Sequence, residues 1–457
     1  MTNQPELLIL GIGVSPFKND GVRRFEHFCN IFGLDYKIIG DGKTWHGGDM
    51  FAGTGGGQKI NELLCAIENM ENKLIIVCDT FDLFPLAREK EILEKFNKLC
   101  NPDNILFSSE VYCWPDKSLA QSYTKSNSKY LFLNSGCIMG YRDDIYQLIK
   151  NSVVNDNDDD QLFFTLKYLS GKKIILDNKC ELFQALNGCQ DDIVIHKNRI
   201  YNKYTNSYPI FVHGNGPAKI FLNHIENYLE TRPMHNYTYT IDSVYKLTIE
   251  PKVFFALYVD SSNQKDFNTF MDSVTNIIYQ NKLVYVYDKN DGNAINELVN
   301  TNNYVYKPNT TSYVFNDFIN SGCEYYFLLE QRCNITKTDI LHELIPKCNN
   351  YHRIISPLLN NKSTLFYSNF WGALDNNGYY CRSDDYIDLV LRHKRGLWNV
   401  PFVFGAILFH KDIILNWDIM CSNKYADVDM QLCHNLRHNT LFMYMANFNI
   451  YGYISQN

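Results

Sequence analysis

The stretch KLIIVCDTFDLFP, Lys73 to Pro85, runs four apolar residues into Cys78 and then sets two carboxylates three positions apart, Asp79 and Asp82. Carboxylates of this kind hold a hard divalent cation, one or two of them sharing it with phosphate oxygens. A cation so placed neutralises a departing diphosphate without any proton transfer. Aspartates also cap helices and form turns, so the pair alone reads equally well as a turn. Further along, VHGNGPAK (212–219) leads from His213 into glycines whose backbone can approach a phosphate closely, and Lys219 follows as a phosphate contact. NDNDDDQ (155–161) crowds four aspartates into five positions, by default a solvated acidic loop. GKTWHGGDMFAGTGGGQK (42–59) is glycine-rich and fits neither the P-loop nor the dinucleotide fingerprint.

The elements that must position these residues alternate. LLILGIGV (7–14) and KLIIVCD (73–79) read as buried strands, QKINELLCAIENM (58–70) and EKEILEKFNKLC carry apolar residues at helical spacing, and strands are expected near 105–108, 130–134 and 173–176. Such alternation predicts an α/β fold with a mostly parallel sheet flanked by helices. Ligands of these sheets sit beyond the carboxyl ends of the strands, where Asp79 falls. The pattern loses periodicity over 233–250 and then restarts with VFFALYV (253–259), a helical FNTFMDSVTNIIY, KLVYVYD (282–288) and YYFLLE (325–330). Two related α/β modules are expected, over 1–235 and 250–457.

The bulk composition narrows the class. A 457-residue chain with 45% hydrophobic and 20% charged residues has room for two or three cored domains. A formal net charge of -7 without basic blocks argues against sequence-independent nucleic-acid binding. The 14 cysteines show no CxxC pair and no zinc spacing, the N-terminus has no basic n-region, and no apolar run reaches the length of a membrane span. A soluble, cytoplasmic protein with free thiols is expected, for which the sequons at Asn236 and Asn334 carry no meaning.

The runs WHGGDM, GGGQK, DTFD, FSSEVYCWPD, FLNSGCIMGY, DDDQLFFT, FQALNG and HGNGPAK, in this order over roughly residues 7–230, resemble the glycosyltransferase part of the procollagen lysyl hydroxylase and glycosyltransferase family. YSNFWGAL (367–374), YYCRSDDYIDLV (379–390) and GLWNVPF (396–402) resemble that family's accessory domain. The resemblance implies two tandem GT-A-like (Rossmann-like) domains, the second degenerate. There YYFLLEQRCNIT (325–336) sets Glu330, Gln331 and Arg332 where an acidic metal motif would stand, and an arginine opposes cation binding. The family's Fe(II)/2-oxoglutarate domain has no counterpart up to Asn457, so hydroxylase activity is not expected.

Residue by residue, the resemblance makes Asp79, Asp82 and His213 ligands of Mn²⁺, shared with the diphosphate of UDP-glucose. It places Trp45 and Phe81 beside the uridine, Phe81 where members often carry Tyr, and Gly214, Gly216 and Lys219 at the diphosphate. It implies retaining transfer of glucose to galactosyl-hydroxylysine in collagen. Asp159 and Asp160 are the candidates to orient the acceptor or face the cationic anomeric centre, with Trp114 stacking on the acceptor sugar. Transfer of a first sugar directly to hydroxylysine is the nearest alternative, and a non-catalytic collagen-binding module the next. The partner implied is a collagen-like Gly-X-Y polypeptide, with homo-oligomerisation allowed and neither nucleic acid nor membrane expected. Members of this kind also occur in large DNA viruses, whose AT-rich genomes suit the 32 tyrosines; the host cytoplasm is then the location.

Overall fold

The structure, a computed structural model, describes residues 7–48, 55–124, 126–232, 247, 249–291, 304–364, 366–375, 377–421 and 424–455. Residues 49–54 of the glycine-rich run, most of the 233–250 boundary and the Asn236 sequon lie outside the described residues. The chain divides into two compact units, Met1–His235 and Asn236–Asn457.

In the first unit, β1 (Leu7–Ser15), β2 (Tyr36–Asp41), β3 (Leu74–Asp79), β5 (Ile105–Glu110), β6 (Phe132–Tyr141) and β7 (Ile174–Leu176) form one sheet in the order β2-β1-β3-β6-β5-β7. Strands β1 and β3 are near-continuous apolar runs because both of their faces are covered, the usual state of parallel strands under helices. Phe25 and Cys29 of α1 (Asp20–Phe32) and Ile92 and Phe96 of α3 (Glu89–Leu99) pack on one face. Ile60, Leu63 and Ile67 of α2 (Gly57–Ile67), Ile145 and Ile149 of α4 (Arg142–Ile149) and Phe164 of α5 (Asp160–Leu169) fill the other. Helix α1 starts where the Asn19 side chain accepts from the Val22 N–H and ends at Gly33, whose φ of 63° supplies the left-handed turn.

The expected α/β architecture is present, and the sheet is mixed. β1 pairs in parallel with β2 and β3, and β5 with β7, whereas β6 runs antiparallel to both β3 and β5. An apolar run marks a strand and leaves its direction open, since that is set by the preceding connection. A second sheet of three short strands, β4 (Leu83–Pro85), β8 (Phe183–Ala185) and β11 (Phe211–His213), stands in the order β4-β11-β8, with an antiparallel pair, β9 (Ile193–His196) and β10 (Arg199–Asn202), between β8 and β11 in the chain. It brings the residues after β3 together with those at the end of β11, through the antiparallel pairing of Leu83 with His213.

The second unit is built on the same plan. Strands 253–259, 282–288, 305–307 and 325–330 pair in parallel, and 325–330 then pairs antiparallel with 406–410 in an eight-stranded sheet. A small three-stranded sheet joins 333–335, 452–454 and 360–361. Among the described residues no helix is long and apolar enough to cross a membrane.

Candidate active site

Strand β3 ends at Asp79, the chain turns through Thr80 and Phe81, and Asp82 precedes β4. The Thr80 hydroxyl donates to the Ile12 carbonyl at 2.9 Å and ties the turn to the end of β1. Gly21 lets α1 lie against it: a Cβ there would stand 2.3 Å from the Phe81 carbonyl oxygen. Gly214 N–H donates to the Asp82 carbonyl at 2.8 Å, which sets His213 beside the two aspartates. His213 Nε2 lies 3.4 Å from Asp82 Oδ1 and 3.7 Å from Asp79 Oδ2. One ligand atom from each of the three falls within 4.8 Å of the others, and this is the one such group of three among the described residues.

The triangle fits a divalent cation. Bonds of about 2.1 Å in an octahedral shell hold adjacent donors roughly 3 Å apart, and His213 Nε2 is within tenths of an ångström of that spacing from an oxygen of each aspartate. Two carboxylates and an imidazole, with positions left for phosphate and water, suit a first-row cation such as Mn²⁺. His213 Nδ1 lies 3.3 Å from Asn134 Oδ1, and donation there leaves Nε2 as the nitrogen turned to the aspartates. Gly136, on β6, makes room for the ring: a Cβ would sit 2.2 Å from His213 Cε1.

Two lysines balance the carboxylates. Lys59, in the first turn of α2, donates to Asp79 Oδ1 at 2.8 Å and lies 3.6 Å from Asp160 Oδ2. Lys219 stands 3.1 Å from Asp82 Oδ2. Burial alone would raise the Asp82 carboxyl, but Lys219 and His213 outweigh it and hold it well below the usual range. Burial alone would lower the His213 imidazole and the Lys59 ammonium; Asp82 raises the first, and Asp160 with Asp79 raises the second. Asp82 is therefore ionised and ready as a ligand at any working pH.

Behind His213 lies a buried polar network. Glu110, ending β5, accepts from Asn134 at 3.0 Å, Gln161 at 2.8 Å and Asn215 at 3.0 Å. Burial raises its carboxyl above the ordinary value against those donors. Asn134, Gln161 and Asn215 belong to β6, α5 and the loop after β11, so one glutamate locks three parts of the site in register.

The other residues singled out in the sequence divide. Asp160 is in the cluster: it accepts from Ser135 Oγ at 3.0 Å and lines a small cavity with Lys59, Asp79 and Ser135. Asp159 caps α5, accepting from the Leu162 N–H at 2.7 Å, and burial pushes its carboxyl up to about 6. Trp114 is 43% exposed, not packed in the core, and its carbonyl lies 3.4 Å from Gln161 Nε2. Trp45 is half-buried, its Nε1–H donating to the Gly48 carbonyl at 2.7 Å and its ring covering Gly47. Phe81 lies in the turn between the aspartates, and no hydrogen bond or ion pair joins Trp45 or Trp114 to the triad among the described residues. Gly214 packs on Leu222, and Gly216 takes a φ of 56° before α6 (Lys219–Glu226).

Sequence reasoning passed over Lys59, Glu110 and Asn134 as functional groups. Glu110 ends a buried strand in a carboxylate just as Asp79 does, and the same rule would have found it. Lys59 sits beside buried Gln58 in a helix whose later inward residues, Ile60, Leu63 and Ile67, are apolar, so its only signal is a lysine at a position the helical period turns inward.

At the end of a central strand the chain thus gathers three potential cation ligands, a glycine turn and a lysine. The model described as the PLOD GT domain matches residues 3–238, and that described as glycosyltransferase family 25, N-terminal domain, matches 319–457. The chain belongs to the procollagen lysine hydroxylase and glycosyltransferase family. It is 52% identical to an uncharacterised protein of Acanthamoeba polyphaga mimivirus, covering 99% of each chain. It is 31% identical to a multifunctional procollagen lysine hydroxylase and glycosyltransferase of Caenorhabditis elegans, over 99% of this chain and 66% of that protein. The chain thus spans about two thirds of the lysine hydroxylase relatives it matches. Among solved structures, S. aureus TarS 1–349 in complex with UDP-GlcNAc superposes at a TM-score of 0.33 with 10% identity, covering 45% of this chain and 59% of that one. A mannosyltransferase from Pyrobaculum calidifontis with GDP-Man and Mn²⁺ superposes at 0.31 with 11% identity, covering 47% and 59%. Likeness at that level carries nothing about the site.

Proposed function

We propose that the first unit is a Mn²⁺-dependent, retaining glycosyltransferase that moves glucose from UDP-glucose to galactosyl-hydroxylysine in collagen or collagen-like chains, with the second unit as its accessory domain. The observation that carries the reading is the convergence of Asp79, Asp82 and His213 beside the Gly214–Gly216 turn and Lys219. When bound, the cation supplies charge stabilisation to the departing diphosphate. Asp79 Oδ2, Asp82 Oδ1 and His213 Nε2 would hold it, with Asp79 kept in that orientation by Lys59 on its other oxygen. Lys219, at the start of α6 and 3.1 Å from Asp82 Oδ2, would turn to a diphosphate oxygen, and Gly216, with nothing nearer than 3.5 Å to the place of a Cβ, leaves the backbone open to approach, while Gly214 packs the loop onto Leu222. Phe81 and Trp45 offer aromatic faces for the uracil.

Sugar transfer breaks the bond from the anomeric carbon to the diphosphate and forms one to the acceptor oxygen, so positive charge grows at that carbon. Asp160, which accepts from Ser135 within the cluster, would face it, and Asp159, capping the helix, would fix the turn that presents it. Trp114, exposed beside Gln161, supplies a platform for the acceptor sugar. Asp79→Ala and Asp82→Ala test the reading: each is expected to abolish Mn²⁺-dependent transfer while the circular dichroism spectrum is unchanged. Full activity in both variants would overturn the metal assignment.

A further inference from the structure

The second unit repeats the frame of the first site, with a turn one residue shorter after the central strand, and fills it differently. Strand 325–330 ends at Glu330, which pairs in parallel with Tyr258 of the opening strand, as Asp79 pairs with Ile12. On the other side the antiparallel neighbour presents a glycine: Gly136 adjoins Cys137, the partner of Cys78, and Gly405 adjoins Ala406, the partner of Leu329, and accepts from the Glu330 N–H at 2.8 Å. A Cβ on Gly136 would meet His213 at 2.2 Å, and one on Gly405 would meet Cys333 Sγ at 2.5 Å. The hydrogen bond that closes the first site, Gly214 N–H to the Asp82 carbonyl at 2.8 Å, recurs as Ser455 N–H to the Arg332 carbonyl at 2.8 Å. Arg332 therefore occupies the place of Asp82, and Ile454, which ends its strand opposite Cys333 as His213 does opposite Leu83, the place of His213. An aspartate-capped helix follows in both units, Asp159 accepting from Leu162 and Asp427 from Met430.

What fills this frame is a closed set of charges. Arg332 Nε donates to Glu330 Oε2 at 2.6 Å and Nη2 to Asp429 Oδ2 at 2.6 Å, with the guanidinium 4.4 Å from the centre of the Phe404 ring. Tyr313 Oη lies 2.5 Å from Glu330 Oε1 and 2.5 Å from Asp429 Oδ1. A phenol has one proton to give, so one carboxyl must bring a proton of its own, and guanidinium, carboxylate and carboxylic acid together are neutral. A divalent cation would meet a fixed positive charge at this point.

We infer that the second unit is a cation-dependent transferase site sealed by its own side chain, with the Arg332 guanidinium standing in for the divalent cation between Glu330 and Asp429. The equivalence rests on the reading of Asp79, Asp82 and His213 as cation ligands, and the test separates the two. In an Asp79→Ala/Asp82→Ala background, Mn²⁺ alone is titrated and bound ion is read from the loss of the free-ion paramagnetic resonance signal. That background is expected to bind no Mn²⁺, and adding Arg332→Asp with Ile454→His to create one new site per chain. A folded quadruple variant that binds no more than its parent overturns the inference, as does a background chain that still binds one Mn²⁺ with Arg332 in place. A wild-type chain that binds none would remove the first-unit reading while the gain at Arg332 still stands or falls by itself. Arg332→Ser in the same Asp79→Ala/Asp82→Ala background gives a second readout if the quadruple variant fails to fold. It leaves Glu330 and Asp429 facing each other, so its melting temperature should fall and be restored by Mn²⁺; a fall that Mn²⁺ leaves unchanged contradicts the inference.

Discussion

Lys59→Met removes the cation that separates Asp79 from Asp160 and replaces it with an apolar chain of similar length. The ammonium lies 2.8 Å from one carboxylate and 3.6 Å from the other, with its side chain 12% exposed. Breaking a buried ion pair by removing one partner costs about 3–5 kcal/mol, because the remaining charge is left uncompensated. Asp79 and Asp160 keep 18% and 9% of their side-chain surface in water, which favours the lower end, about 3 kcal/mol. For a unit of this size each kcal/mol moves the melting temperature by about 2–4 °C, so a fall of roughly 6–12 °C is expected. Scanning calorimetry in EDTA measures it directly. The same scan with Mn²⁺ should show a larger metal-induced rise in the variant than in the wild type, since two unpaired carboxylates then face the cation. An unchanged melting temperature in EDTA would refute the claim that Lys59 is what holds these carboxylates together.

Gly136→Ala places a methyl group 2.2 Å from His213 Cε1 and pushes the imidazole off its position; Mn²⁺ affinity by calorimetric titration should fall about 10–100-fold, as for other changes that misalign a ligand. Asp429→Asn reports on the sealed site through pH. Burial and Glu330 push the Asp429 carboxyl up to about 8, so between its unfolded value near 4 and about 8 the folded protein holds one proton more than the unfolded chain. Stability contributed by this group is therefore full at low pH and is lost as pH rises through that window; urea unfolding should show the decline in the wild type and a flatter profile in the variant.

Much of the site was legible because local patterns carry it. An apolar run long enough to cross a sheet and ending in a carboxylate marks Asp79 without any partner being known, and α2 shows its inward face by spacing alone. What brings His213 to Asp82 was not legible. Their meeting depends on β4 and β11, three residues each, which are too short to show alternation and whose pairing is set by the fold around them. The direction of β6 was hidden for a related reason, since pairing sense is a property of the connection and not of the strand. Lys59 was read as an ordinary member of a helix, because a lysine turned inward has no sequence signature apart from its partner, and Glu110 was missed because the strand expected over 105–108 stops short of it. The roles of Asp159 and Asp160 separate only in three dimensions, one oxygen capping a helix and the next facing a lysine.

The central claim is tested most directly by UDP release with and without Mn²⁺, using UDP-glucose and UDP-galactose against peptides bearing lysine, hydroxylysine or galactosyl-hydroxylysine. The account predicts turnover only with Mn²⁺, UDP-glucose and galactosyl-hydroxylysine together. Turnover on bare hydroxylysine, or turnover undiminished in EDTA, would contradict it.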